Sequence, residues 1–552
     1  MNLRIGTIQR AEGRGKAMRF LMLAVSALLT GLCIVIPKIG LIEWLSLVPC
    51  TAFLLSLNIG NGSGSANIRL RSVYGYGVFF FAIFYMINFH WFINLYPLEF
   101  VEGMTKGGAL AVVCAGLIGL SLFQAVQGGL VFLFSVLAFR SSLCKKAPLL
   151  KPLVLAALWS VYEWLQTFGW WGVPWGRLPL GQSEYLVGLQ TASWFGSYFI
   201  TFLLISVNAF VALALLDKQK TKHACIAAAA ILIFQYGAGA TLWFTQKNNG
   251  ETVRVAAVQG NISSHEKWTT ESAQKTQTVY AEYTAQAARE GAKIVVWPET
   301  ALPYTVAEGN GYYSYAASLA VKYDVTILVG AFTKDINGGS YNSLICFTPD
   351  GRMLETVYSK RRLVPFGEFV PMRGLFETFI PPLAELVMSE DDITAGEGAN
   401  VFFVEEGAIG SLICFDSIYE GLTRDSVLDG AQLIALSTND SWFTDSAALY
   451  MHNAQAQLRA VESGRDIVRS ANTGISTVIN SRGEVISSLE PLVDGMIVED
   501  VQMRSETTLY THIGNLFVYL CALSLVMLLV WESYPRIRSK IEKKCGGAQK
   551  KS

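Results

Sequence analysis

Long apolar runs separated by short polar connections fill the first 244 residues, and one further run closes the chain. They lie near 18–36, 41–58, 74–95, 108–137, 152–169, 193–216, 223–244 and 513–532. Most reach the roughly 20 apolar residues that a spanning helix needs, so the pattern predicts eight transmembrane helices. The second run is short. The fourth is long, with Gly128–Gly129 placed to kink it. The first run is not read as a cleaved signal peptide, because it lacks a small-residue cleavage site and another span follows at once.

The period changes between the last two runs. Short apolar segments ending in polar residues predict strands at VRVAAVQGNI, AKIVVWPET, VTILVGAF, SLICFTPDG, AIGSLICFD and AQLIALSTND. Helical stretches fall at 271–290 and 447–464, and PDGRMLETVYSK and NSRGEVISSLE read as hairpins. Strands alternating with helices predict one α/β domain built as a layered sheet sandwich. The expected organisation is a seven-helix membrane domain over 1–244, a linker at 245–252, a catalytic-type domain over 253–503, an eighth helix at 513–532 and a basic tail at 533–552.

Composition agrees with a membrane protein. Of 552 residues, 52% are hydrophobic and 16% charged, against roughly 25% charged in soluble chains. The formal net charge is zero, so the total identifies no partner and nothing points to nucleic acid. Its distribution is informative. Basic residues collect before span one (Arg4, Arg10, Arg14, Lys16, Arg19), between spans two and three (Arg69, Arg71) and between spans four and five (Arg140, Lys145, Lys146, Lys151). They collect again between spans six and seven (Lys218, Lys220, Lys222) and after span eight. The alternate loops carry single charges such as Lys38, Lys106 and Arg177. The positive-inside rule then puts both termini in the cytoplasm and the large polar domain outside it.

The nine cysteines show no CxxC or CxxH spacing, so no zinc site and no disulfide framework is indicated. Only Cys346 and Cys414 fall in the polar region. Cys414 in LICFDSIYE, Glu299 in VVWPETALP and Lys360 in YSKRRLVPFGEFVP each close an apolar β-like run. A thiol is mostly protonated at neutral pH and needs a base to attack. Glu299 is the candidate base. Lys360 and the backbone N–H of Phe415 are candidate oxyanion donors. Glu368 is placed to orient Lys360 or to help move the proton. A lone Cys, Glu or Lys at such a position is usually a core or solvated residue; the three together, in dense motifs, carry the signal.

On those motifs the polar domain resembles the nitrilase superfamily. The whole chain resembles the bacterial apolipoprotein N-acyltransferase family, through VQGNISSHEKW, STNDSWF, RSANTGIS, EWLQTFGWWGVPW and LGQSEYLVGLQTASWFGSYFITFLL as well. The resemblance implies an extracytoplasmic nitrilase-like αββα sandwich on a polytopic eight-helix body in the bacterial plasma membrane. It implies acyl transfer from a phospholipid donor, through a Cys414 thioester, to the α-amine of a diacylglyceryl lipoprotein acceptor. It also implies a Glu299–Lys360–Cys414 triad, a substrate-handling role for Trp268, no metal or organic cofactor, and a monomer.

The chain departs from the family pattern at Phe415-Asp416, where Tyr-Glu is usual, and at Gln166, where an arginine able to pair with Glu163 is expected. Glu163 is itself a functional candidate as an acid near the outer end of span five. His90 reads as an interfacial hydrogen-bonder and Trp442 as structural. The stretch 372–395 reads as a lipid-touching lid. Two other functions compete. A membrane-tethered nitrilase-type amidohydrolase would need one span rather than eight, and a non-catalytic lipid-binding scaffold would have no chemical reason to keep Glu299, Lys360, Glu368 and Cys414 together.

Overall fold

Most of the apolar runs fold as long helices, while the second is made of the short pieces Pro37–Ile42, Glu43–Ser46 and Val48–Ser56. The structure, a computed structural model, describes residues 2–57, 69–98, 104–247, 250–263, 270–379 and 392–548. Seven of its helical segments are long and apolar enough to cross a membrane: Gly15–Val35, Pro37–Ser56, Leu70–Asn88, Lys106–Phe139, Ser197–Leu216, Thr221–Thr245 and Leu516–Ser533. The run at 152–169 forms a helix of only 16 residues, Leu150–Leu165, and turns follow it. The chain is a multi-pass membrane protein.

Burial ranks the helices. The segment Ser197–Leu216 is 72% buried, whereas Thr221–Thr245 and Leu516–Ser533 are 17% buried. The first is therefore the centre of the bundle, and the other two present Ile233, Phe244, Leu523 and Trp531 outward. A single helix runs through Gly128–Gly129 instead of breaking there. A Cβ at Gly128 would collide with the Phe81 ring, so that glycine serves close helix packing. The helix beginning at Leu516 continues to Ala548 through the expected tail.

Thirteen strands follow in chain order among the described residues: β1 (Glu251–Gln259), β2 (Ile294–Val296), β3 (Leu302–Thr305), β4 (Thr326–Lys334), β5 (Ser340–Phe347), β6 (Tyr358–Ser359), β7 (Phe402–Val404), β8 (Gly407–Ile413), β9 (Leu433–Thr438), β10 (Asp466–Ala471), β11 (Thr477–Ile479), β12 (Val485–Ser488) and β13 (Gly495–Met503). One sheet has the order β13-β1-β2-β4-β5-β6, with β3 also on β4; the other has the order β12-β11-β10-β9-β8-β7. Strands β1, β2 and β4 are mutually parallel, as are β8, β9 and β10. The first predicted hairpin is reduced to a Phe347–Met353 bridge before β6 returns along β5. The second is present as β11–β12. Antiparallel pairing of Glu251 with Met503 puts the domain's entry and exit side by side, below their two membrane helices.

Side-chain alternation builds the layers. Along β1, Val253, Val255 and Ala257 join Ile409, Ile413, Leu433 and Val468 of the other sheet in the core between the sheets. Ala256 and Val258 turn the opposite way, toward Tyr280 and Leu319 of the helices Thr270–Arg289 and Gly311–Tyr323. From Val255 onward both faces of β1 are buried, which is why Val255–Val258 is continuously apolar rather than alternating. Each fully buried Val, Leu or Ile contributes about 1.5–3 kcal/mol. On the far side, Leu412, Ile434 and Leu436 pack with Met451 and Leu458 of the helix Ala447–Ser463. That layer is continuous with the apolar core of the membrane helices. The expected αββα sandwich is present, and one of its outer layers is shared with the membrane body.

Candidate active site

Strand β8 is buried along nearly its whole length and delivers Cys414 at its carboxyl end, in a tight turn over Cys414–Ile418. Cys414 has φ 49°, a left-handed conformation that costs a non-glycine residue about 1–3 kcal/mol and persists only when its surroundings enforce it. Several groups enforce it. Ser417 Oγ donates to the Cys414 carbonyl at 2.9 Å, and His452 Nε2 lies 3.1 Å from the same oxygen. Asp416 is fully buried. Its carboxylate accepts from Ile413 N at 3.1 Å, Tyr358 Oη at 2.8 Å, Arg361 N at 3.2 Å and Arg362 N at 2.8 Å. It therefore ties the Cys414 turn to the segment that carries Lys360. Burial raises the Asp416 carboxyl to about 6, with Lys360 and these donors opposing the rise.

Glu299 stands just beyond β2 and Lys360 just beyond β6. Gly330 on β4 makes room for Glu299, because any Cβ there would strike the Pro298 carbonyl. Lys360 Nζ lies 2.9 Å from Glu299 Oε1 and 3.0 Å from Glu368 Oε1, and only 2% of its side chain is exposed. Asn342 Nδ2 bridges the same two oxygens at 2.7 and 3.0 Å. Glu299 Oε2 accepts from Asn439 N at 2.8 Å, and Glu368 Oε2 accepts from Val364 N at 2.9 Å. Burial by itself would depress the Lys360 amine. The two carboxylates outweigh it and hold the amine well above its usual range, so it stays charged. For Cys414, burial pushes the thiol up, Glu299 adds to the push and Lys360 pulls against it. A thiol raised in this way needs a base to take its proton before it can act as a nucleophile.

Glu299 and Lys360 lie within electrostatic reach of Cys414, Glu368 joins them through Lys360, and Phe415 and Asp416 follow Cys414 in the turn, with Phe415 partly buried and its ring 5.6 Å from that of Tyr419. Trp268 lies outside the described residues, as do 380–391 of the expected lid. The described part of that stretch exposes Met372, Leu375 and Phe379. Glu163 and Gln166 do not depend on each other. Glu163 accepts from Leu178 N at 3.1 Å and Thr201 Oγ1 at 2.5 Å, while Gln166 donates to Tyr85 Oη at 2.7 Å and Gln124 Oε1 at 3.0 Å. His90 Nδ1 sits 2.7 Å from the Ile87 carbonyl, a local bond at a helix end.

Sequence reasoning missed Asn342, Asn439 and a buried group behind Cys414. There, His452 Nδ1 lies 2.9 Å from Asp440 Oδ1, and Arg469 Nη2 donates to Asp440 Oδ2 at 2.6 Å. Burial would raise the Asp440 carboxyl, but His452 and Arg469 more than offset it and hold it well below its usual range. Cys414 Sγ, an Asp440 oxygen and a His452 nitrogen lie within 4.8 Å of one another, a grouping of metal-ligand types. The Asp440 and His452 donors already hold hydrogen-bond partners, which favours a positioning cluster. The motifs STNDSWF and RSANTGIS contain Asn439, Asp440 and Arg469, but no spacing rule joins them to His452.

Two family models match the chain. Carbon-nitrogen hydrolase covers residues 254–509, and the apolipoprotein N-acyltransferase N-terminal domain covers 26–210. The chain is 29% identical to an apolipoprotein N-acyltransferase of Gloeobacter violaceus, over 90% of each chain. It is 31% identical to one of Methylococcus capsulatus, over 75% of this chain and 78% of the relative. Among solved structures it resembles an amidase from Nesterenkonia sp. at 18% identity and a TM-score of 0.35, over 47% of this chain and 93% of that one.

Proposed function

The chain belongs to the apolipoprotein N-acyltransferase family, and we propose that it works through a Cys414 thioester in a two-step, ping-pong transfer. The observation that carries the mechanism is Lys360 Nζ held 2.9 and 3.0 Å from Glu299 and Glu368, at a buried site beside a strained cysteine. One surplus negative charge remains in that trio, and it suits a base.

In the first step Glu299 takes the thiol proton as Cys414 Sγ attacks the ester carbonyl of a phospholipid. The carbonyl oxygen becomes an oxyanion, stabilised by Lys360 and the backbone N–H of Phe415. Collapse breaks the ester C–O bond. The departing lysophospholipid alkoxide takes the proton from Glu299, and the acyl group remains on sulfur. In the second step the α-amine of a diacylglyceryl-cysteine attacks the thioester and loses its proton to Glu299. The C–S bond breaks, and the thiolate recovers a proton. Glu368 helps keep Lys360 charged and pointed throughout, and Asn342 holds the two carboxylates in place.

The membrane placement follows the same reading. Alternating basic loops fit eight spans, with Leu150–Leu165 as the short fifth, both termini cytoplasmic and the domain over 253–503 outside the plasma membrane. Maturing lipoproteins would meet the site on that face, and the enzyme would act as a monomer. The test is to incubate the purified chain with acyl-labelled phospholipid and a diacylated lipopeptide. Label in a new amide on the lipopeptide supports the transfer. Label only in free fatty acid would mean hydrolysis and would overturn it.

A further inference from the structure

Arg177 is a lone charge in a loop between two spans, and sequence patterning treats it as an incidental outer-loop residue. In the fold it is 1% exposed and reaches the α/β domain. Its Nη2 donates to the Ile418 carbonyl at 3.2 Å, and its Nη1 lies 3.4 Å from Glu420 Oε2. Ile418 is the last residue of the turn that begins at Cys414. Arg459 Nη1 donates to the Ser417 and Ile418 carbonyls at 3.5 and 3.3 Å. Glu420 Oε1 accepts from Tyr198 Oη at 2.7 Å and from Asn515 Nδ2 at 3.2 Å. Glu462 accepts from Ser197 N at 2.8 Å and pairs with Arg459 at 2.7 Å. Tyr198 and Ser197 begin the central helix of the bundle, and Asn515 immediately precedes the last helix.

Two guanidinium groups and two carboxylates are thus matched in a buried quartet, and Ser197, Tyr198 and Asn515 among their partners belong to the membrane body. Buried ion pairs are poor sources of net stability, and their best-attested use is to fix one arrangement against others. Here the arrangement fixed is the turn that carries the nucleophile. We propose that Arg177 is a positioning residue for acyl transfer, through which the membrane body sets the geometry and charge balance of the Cys414–Ile418 turn. The body is then a working part of the active site as well as its anchor. A tether needs no such bond: removing Arg177 leaves one carboxylate uncompensated behind the turn and one of its carbonyls with a single donor.

The inference rests on Cys414 being the acylated thiol, and the experiment separates the two. Full-length wild type, Arg177→Met, Arg177→Lys and Tyr198→Phe are purified in lipid nanodiscs. Single-turnover acylation by phospholipid without acceptor is followed by intact mass, with melting temperature measured alongside. Arg177→Met should acylate tenfold or more slowly at saturating phospholipid, with half-saturation within twofold of wild type. Arg177→Lys keeps the charge and should recover most of the rate. Tyr198→Phe removes one bond to Glu420 and should slow acylation two- to fivefold, with a smaller loss of melting temperature than Arg177→Met; it carries the test if Arg177→Met does not fold. An Arg177→Met rate within twofold of wild type overturns the proposal. So does equal loss in Met and Lys variants that tracks their melting temperatures, and so does a silent Tyr198→Phe. If wild type itself acquires no acyl group, the thioester reading fails instead.

Discussion

Two clusters of buried charge flank the same short turn, and they are built differently. Around Lys360, one cation faces two carboxylates, Glu368 keeps 16% of its side chain exposed, and Cys414 is itself partly open. Around Arg177, two cations face two carboxylates, and the Arg177–Glu420 and Arg459–Glu462 side chains are 0–3% exposed. The first cluster has an unmatched charge and access; the second has neither. Burial of charge alone therefore does not mark chemistry. Surplus charge next to a reachable, strained nucleophile does.

The comparison breaks most sharply at Lys360. Lys360→Met keeps the stem and deletes the ammonium, and losing one oxyanion donor typically lowers turnover about 10²–10³-fold. Half-saturation by phospholipid should barely move, because the stabilised charge exists only in the transition state. A variant within a few-fold of wild type would make the two clusters equivalent in kind.

Asn342 comes next. Asn342→Ala removes the bridge between the carboxylates and leaves Lys360 in place. A hydrogen bond to a charged group contributes about 1.5–3 kcal/mol, so a fall of about tenfold or more in both half-reactions is expected. Single-turnover rates for each step check this.

Asp416 joins the turn to the Lys360 segment, and its effect is one of pH. All four of its bonds are accepted by the carboxylate, so protonation breaks at least one, and acylation should fall as pH drops through about 6. Stability runs the other way. Because the folded value lies above the ordinary 3.8, the folded state holds the proton more tightly, and this group's contribution to stability decreases as pH rises from about 4 to 6. Asp416→Asn should flatten that limb and slow both half-reactions alike, since a fully buried carboxylate has no access to the incoming amine. A pH–rate profile unchanged in Asp416→Asn contradicts this role.

Phe415→Tyr should change least. The oxyanion donor proposed at 415 is a backbone group, and the partly buried ring packs on Tyr419, so rates within about twofold are expected. A larger effect would show that the phenol belongs to the reactive cluster.

Glu299, Lys360 and Cys414 could be singled out because each follows an apolar strand, and seven spans because each is a run of about 20 apolar residues, whereas the run at 152–169 forms a helix of only 16. Asn342 and His452 could not be, because their partners lie 26 to 43 residues away for Asn342 and 12 to 38 for His452, in other layers of the fold. Strand β10 was hidden because DIVRSA buries Asp466 and Arg469, whose charges break an apolar reading. Arg177 looked like a loop charge because its partner Glu420 is 243 residues distant. Local pattern locates what one element does alone; buried polar partnerships between layers need the fold.

The central claim is that Cys414 carries the acyl group between donor and acceptor. Intact-mass analysis of the full-length chain incubated with phospholipid and no acceptor tests it most directly. One added acyl group is expected on wild type and on Cys346→Ser, whose cysteine is buried between the sheets, and none on Cys414→Ser. Adding a diacylated lipopeptide should discharge it with one amide formed per acyl lost. Wild-type acylation of Cys414→Ser, or amide formation by that variant, would contradict the account.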